Sequence, residues 1–207
     1  MLTVLGRAAS INVRKVLWTC SELGLEPGRE EWGAGELSLQ SPRFLALNPN
    51  ALVPVLLDGD LVLFESNTIC RYLAARQGRH DLLPAEAAAR ARVEQWMDWQ
   101  ATELNNAWRY AFMARVRRSP DHADAAAIEP SVQAWNRHMA VLEGRAAPHE
   151  RLCLRRLLHA GRCGAGPGHA PLDGHANGTA GTAAVARFYG ALCQRPAFLQ
   201  HGRNGLP

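Results

Sequence analysis

Ser10 stands just ahead of an apolar series, Val13, Val16, Leu17, Cys20 and Leu23, whose three- and four-residue steps run to a stop at Gly24. A hydroxyl at the mouth of such a helix lies among unpaired backbone N–H groups and the positive end of the dipole, which together favour negative charge. A free thiol with a pKa near ~8.5 is mostly protonated at neutral pH, so a donor placed there raises the reactive thiolate fraction. Asn12 offers a second donor. Simple capping of the helix by Ser10 is the alternative. Pro54 interrupts the apolar run Leu52-Val53-Pro54-Val55-Leu56-Leu57, where a trans proline would break the ladder of a central strand. A cis bond before it would leave the N–H and C=O of Val53 free to pair with an extended peptide, and a plain edge-strand proline is the other reading. At Glu65-Ser66 a helix opens, so that the Ser66 hydroxyl and the first helical N–H groups can hold a carboxylate while Glu65 holds an ammonium. Those are the two charges of an α-amino acid terminus, although a helix cap at Ser66 and a solvated Glu65 explain the pair singly.

The elements that must position these residues can be read from periodicity. Leu2 and Val4 open a strand, and the helix after Ser10 follows. A second strand is expected near Glu30 to Trp32, then a helical turn around Ser41 to Leu45. Val53 to Leu57 and Leu61 to Phe64 flank the turn sequence Asp58-Gly59-Asp60 and should form an antiparallel hairpin. A helix with Ser66 as N-cap follows, with Ile69, Tyr72 and Leu73 facing inward. The order β-α-β-α-β-β-α is a thioredoxin-like α/β domain over residues 1–77. Residues 78–85 read as a linker, and 86–207 as an all-α helical domain. In the latter Val93, Met97, Ala101, Leu104, Trp108 and Phe112 keep one face, and Ile128, Val132, Trp135, Met139 and Leu142 another, as two antiparallel helices would.

In the stretches Ser10-Ile11-Asn12-Val13-Arg14-Lys15-Val16, Asn48-Pro49-Asn50-Ala51-Leu52-Val53-Pro54-Val55-Leu56 and Phe64-Glu65-Ser66-Asn67-Thr68-Ile69 the chain resembles the cytosolic glutathione transferase superfamily, of the bacterial serine type. The likeness covers residues 2 to about 144 and then 184 to 198. It implies that Ser10, with Asn12, orients the thiolate of glutathione for attack on a small hydrophobic electrophile. Leu52, Val53, Pro54, Glu65 and Ser66 would bind the tripeptide. It also implies a homodimer, with the second subunit packing near the start of the long helices, and glutathione as co-substrate with no bound cofactor. Family members often carry Gly-Lys where this chain has Ala51-Leu52, so a usual cation for the glycyl carboxylate is missing. Trp96, Trp99 and Trp108 are expected in the core, and Asn106 and Tyr110 are the candidates for the electrophile site. A glutathione-dependent reductase or isomerase is a second class, but a reductase wants a nucleophilic cysteine where Ser10 stands. A non-catalytic glutathione-binding module is a third.

The bulk properties exclude other classes. Among 207 residues the formal charge of +4 is modest, and the Arg residues are scattered among acidic ones as far as about Arg145, which does not make a nucleic-acid surface. No apolar run approaches a membrane span of about 20 residues, and the short start Met-Leu-Thr-Val-Leu is no signal peptide, so a cytoplasmic protein is expected. The five cysteines form no C-x-x-C pair, and Cys20 and Cys70 read as small core residues. His149, His159, His169 and His175 with Cys153 and Cys163 lack the spacing of a structural zinc site, so no metal is expected.

From 146 to 183 the apolar period disappears among Gly, His and Arg. The family expects a helix opened by Gly-Asp-x-Phe-Thr-x-Ala-Asp here. Leu154 to Cys163 can be encoded so that a start one base later reads Cys-Gly-Asp-Ser-Phe-Thr-Leu-Ala-Asp-Val, which restores that segment. A pair of compensating frame changes, near 146–152 and near 183, is therefore expected in the gene or its sequencing. Ala184 to Phe198 regains a helical pattern through Val185, Phe188, Tyr189 and Leu192, closed by Pro196.

Overall fold

The computed structural model of the chain describes residues 1–145 and 190–202. Within them the chain forms two compact units, one of residues 1–90 with 200–202, the other of the described residues from 91 to 199.

In the first unit the element order is β1 (Leu2–Leu5), α1 (Ile11–Glu22), β2 (Gly28–Glu30), α2 (Pro42–Leu47), β3 (Val55–Asp58), β4 (Leu61–Phe64) and α3 (Ser66–Arg76). The thioredoxin-like order read from the sequence is thus observed. Asp58 faces Leu61 across a two-residue loop in which Gly59 has φ +61°, the conformation a tight hairpin wants at that place. The sheet order is β2-β1-β3-β4, with β1 and β2 parallel and the other pairs antiparallel. Alternation splits the sheet's two faces. Leu5 and Val55 join Trp32 and Phe44 in one cluster, the two rings 5.0 Å apart, while Val4 and Leu56 point the other way and are fully buried. Each such aliphatic side chain contributes about 2 kcal/mol by leaving water.

Local chemistry sets the ends of the helices. Ser10 caps α1, accepting from Val13 N–H at 3.5 Å. At the other end Leu25 N–H reaches Cys20 O at 2.9 Å and Gly24 N–H reaches Ser21 O at 3.2 Å, with Gly24 at φ +68°, which is a Schellman ending. Ser41 caps α2 through Phe44 N–H at 3.3 Å. Three expectations shift. Strand β2 lies at Gly28–Glu30 rather than Glu30 to Trp32, because Trp32 turns into the core beside Phe44. Strand β3 starts at Val55, after the proline, where ladder hydrogen bonding becomes possible. The N-cap of α3 is Glu65, at φ +69°, and Ser66 is its first helical residue. Cys20 and Cys70 are core residues as expected, and burial pushes the Cys20 thiol up to about 12.

The second unit holds α4 (Ala87–Trp99, its first turn lying in the first unit), a π-helical turn (Gln100–Leu104), α5 (Asn105–Arg115), a short 3₁₀ turn (Pro120–His122) and α6 (Ala125–Arg145). The π turn adds a residue to the helix, so the inward stripe runs through Gln100 and Leu104, and Ala101, expected on the core face, is exposed. Of the three tryptophans expected in the core Trp96 is buried, whereas Trp99 and Trp108 are half-buried; Trp96 forms an edge contact with Trp99 at 5.3 Å, and Trp108 one with Phe112 at 4.8 Å. Val132 and Leu142 are buried on α6, whereas Ile128, Trp135 and Met139 are half-buried. Buried Ser131 of α6 spans one rung of α5: its Oγ accepts from Ala111 N–H at 3.1 Å and donates to Ala107 O at 2.7 Å. Pro196, expected to close a helix, opens α7 (Pro196–His201), since its fixed φ suits a first helical position. Val185, Phe188, Tyr189 and the His and Cys residues between 149 and 175 lie outside the described residues. Among the described residues no helix is long and apolar enough to cross a membrane.

Candidate active site

Strand register brings the three candidate loops to one end of the sheet. Leu5 pairs with Val55, and Val55 with Phe64, so the chain leaving β1, the chain entering β3 and the chain leaving β4 emerge side by side. These carry Ser10 and Asn12, Val53 and Pro54, and Glu65 and Ser66.

The first and second loops meet at Gly6. A Cβ there would lie 2.6 Å from Val13 Cγ2 and 2.8 Å from Val53 Cβ, and its φ is +139°, so no side chain fits between helix and loop. The Val53–Pro54 bond is cis. Among the described residues no hydrogen bond engages the backbone of Val53. Asn48, 2 % exposed, braces the turn before it: its Nδ2 donates to Leu52 O at 2.8 Å, its Oδ1 accepts from Asn50 N–H at 3.1 Å, and its own C=O accepts from Ala51 N–H at 3.1 Å. Ala51 keeps a left-handed φ of +53°, the conformation glycine takes freely, at a cost of about 1–2 kcal/mol for a side-chain-bearing residue. Leu52 is 60 % exposed.

The first and third loops are tied by polar side chains. Lys15 Nζ donates to Ser66 Oγ at 3.1 Å and to Asn67 Oδ1 at 2.9 Å, and Ser66 Oγ donates to Asn12 Oδ1 at 3.3 Å. Lys15 and Ser66 are buried, while Asn12 and Glu65 are exposed. The first bond inside α3 runs from Ile69 N–H to Glu65 O, so the N–H groups ahead of it point out of the helix end. Ser10 Oγ accepts from Val13 N–H and keeps its own proton to give. The geometry is one polar end of the sheet with an amide edge at Val53, donors at two helix mouths and a carboxylate at Glu65.

Asn106 and Tyr110 stand one turn apart on α5. Asn106 is exposed, and the Tyr110 hydroxyl accepts from Asp124 N–H at 3.3 Å with its ring 5.0 Å from His122. Lys15, Asn48 and Gly6 are residues of the candidate site that sequence reasoning passed over. Each lies in or beside a motif already singled out, but nothing local marks a buried lysine or a packed glycine.

Comparison with known proteins agrees with this architecture. Residues 9–76 match the family model described as glutathione S-transferase, N-terminal domain. The chain is 43 % identical over 150 residues to glutathione S-transferase GstB of Escherichia coli (strain K12), covering 71 % of this chain and 72 % of that protein. It is 36 % identical over 159 residues to glutathione S-transferase 3 of Zea mays, covering 73 % and 69 %. Among solved structures it resembles a theta class glutathione S-transferase from Xanthomonas axonopodis pv. citri with glutathione bound, at 29 % identity, TM-score 0.80 and coverage of 100 % and 99 %. The chain belongs to the cytosolic glutathione transferase superfamily.

Proposed function

We propose that the chain conjugates the thiolate of glutathione to small hydrophobic electrophiles, with Ser10 as the residue that touches the sulfur. The observation that carries this is the convergence of three loops on one end of the sheet, each presenting the group that one part of the tripeptide needs. The backbone of Val53, beside cis Pro54, offers an extended peptide both a donor and an acceptor. The head of α3 takes the γ-glutamyl carboxylate, with Ser66 beside it, and Glu65 takes the ammonium. The thiolate then lies at the mouth of α1, where the Ser10 hydroxyl donates to it and Asn12 supplies a second donor. Catalysis is thiol activation and positioning. Leu52 contributes backbone and apolar surface, and the missing cation lowers the affinity for the glycyl end. Asn106 and Tyr110 border the electrophile.

Ser10→Ala is the test. We expect kcat to fall about 100-fold, as for removal of one donor to a developing anion, with stability lowered by about 1 kcal/mol through the lost cap. An unchanged kcat would move the role to Asn12.

A homodimer and a cytoplasmic, detoxifying role belong to the same reading. Leu61, Val62 and Phe64 leave apolar surface exposed on β4, which supports a partner there, and gel filtration reports it. The division at 1–77, 78–85 and 86–207 is likewise part of the proposal, as are the frame changes bounding 146–183. A genomic read whose codons yield the Gly-Asp-x-Phe-Thr-x-Ala-Asp segment in no alternative frame would contradict the latter. The non-catalytic binding module remains the second reading. It is favoured by 33 % identity over 106 residues to a protein named probable elongation factor 1-gamma 2 of Arabidopsis thaliana, covering 49 % of this chain and 26 % of that one. Binding of glutathione without turnover of an aryl halide would select it.

A further inference from the structure

Beneath the candidate site, side chains from two helices form one line of hydrogen bonds. It runs from Lys15 Nζ to Ser66 Oγ, 3.1 Å, and from Ser66 Oγ to Asn12 Oδ1, 3.3 Å, with a branch from Lys15 Nζ to Asn67 Oδ1, 2.9 Å. Lys15 is 4 % exposed. An ammonium taken out of water is costly unless hydrogen bonds replace its hydration, and methionine would fill the same volume without that cost. A lysine here therefore needs a reason beyond packing.

The direction of the line supplies one. An ammonium has donors and no acceptor, so Ser66 must accept from Lys15 and turn its single proton away from it. That proton rests on Asn12 Oδ1. A carboxylate arriving at the head of α3 is a stronger acceptor than a side-chain amide and competes for the same proton. Hydrogen bonds in series also polarise one another, so a hydroxyl held by an ammonium is a better donor than a lone one.

We propose that Lys15 is a positioning residue for glutathione: it holds Ser66 Oγ from below, so that the serine proton is turned away from the ammonium and is free to pass from Asn12 Oδ1 to the α-carboxylate of the γ-glutamyl group. This rests on the glutathione transferase reading above. The ligand end affected is the γ-glutamyl end, which Ser66, 51 residues along the chain from Lys15, would hold.

Calorimetric titration of the full chain with glutathione tests it, in the wild type, Lys15→Met and Lys15→Arg, with thermal unfolding of each. Lys15→Met should weaken glutathione binding about tenfold, in keeping with a charge-assisted hydrogen bond, and leave KM for the electrophile unchanged. Lys15→Arg keeps the charge and the donors and should stay within about threefold of the wild type. Binding by Lys15→Met within about twofold of the wild type overturns the proposal. So does equal weakening in both variants, which would make the role one of packing. If Lys15→Met does not fold, Asn67→Asp carries the test. It pins the ammonium with a carboxylate and cancels its charge, so unchanged affinity there also overturns the role. A wild-type chain that binds no glutathione overturns the underlying functional reading instead.

Discussion

The end of the sheet that carries the candidate site and the helical unit are built on different terms. In the first, candidate site residues from distant parts of the chain are locked by register, by one glycine-sized gap and by a short line of polar side chains. In the second, order comes from apolar stripes on α4, α5 and α6, and the Ser131 hydroxyl crosses between helices at Ala107 and Ala111. The contrast teaches where substitution is tolerated. An apolar stripe accepts exchanges of similar volume. A cluster in which each atom has one place to go does not.

Breaking the tighter region should have the largest effect. Gly6→Ala puts a methyl group into the gap between Val13 and Val53 at a positive φ, and should lower stability by about 3 kcal/mol or more, read by urea unfolding. Loss below about 1 kcal/mol would mean that the first two loops are not held together as described. In the helical unit, Ser131→Ala removes the bridge across the α5 rung and should cost about 1–2 kcal/mol. Glutathione affinity should not move, which a parallel titration checks.

The smallest effect sharpens the comparison at the edge of the first unit. His201 meets Ser21 Oγ at 2.9 Å, and burial, with Arg29 nearby, lowers its pKa. A histidine with a depressed folded pKa adds stability that is present above its unfolded value of about 6.5 and lost as pH falls through the folded value. Thermal unfolding midpoints should therefore decline on acidification below about pH 6.5, and His201→Gln should flatten that part of the curve.

Much of the candidate site's framework was legible because its parts carry local signatures. The Asp58-Gly59-Asp60 turn fixes the hairpin, and the proline before Val55 marks the exposed peptide edge. The helix mouths at Ser10 and at residues 65–66 follow from where the apolar period begins. What stayed hidden depends on long-range pairing. Lys15 looks in sequence like any solvated charge on a helix, and its burial is decided by Ser66 and Asn67 on α3. Gly6 looks like a loop glycine until Val53 is packed against it. The cap of α3 fell on Glu65 rather than Ser66 because Ser66 Oγ is engaged across helices instead of along its own. The π turn at Gln100–Leu104 rotates the core stripe by one residue, and no periodic template anticipates an inserted residue.

Amide chemical shifts recorded while glutathione is added to the full chain test the central claim most directly. Signals of Asn12, Val53 and Ser66 should move together and fit one dissociation constant, as the proposal that a single tripeptide touches all three loops requires. Movement confined to one loop, or to residues away from this end of the sheet, would contradict the account.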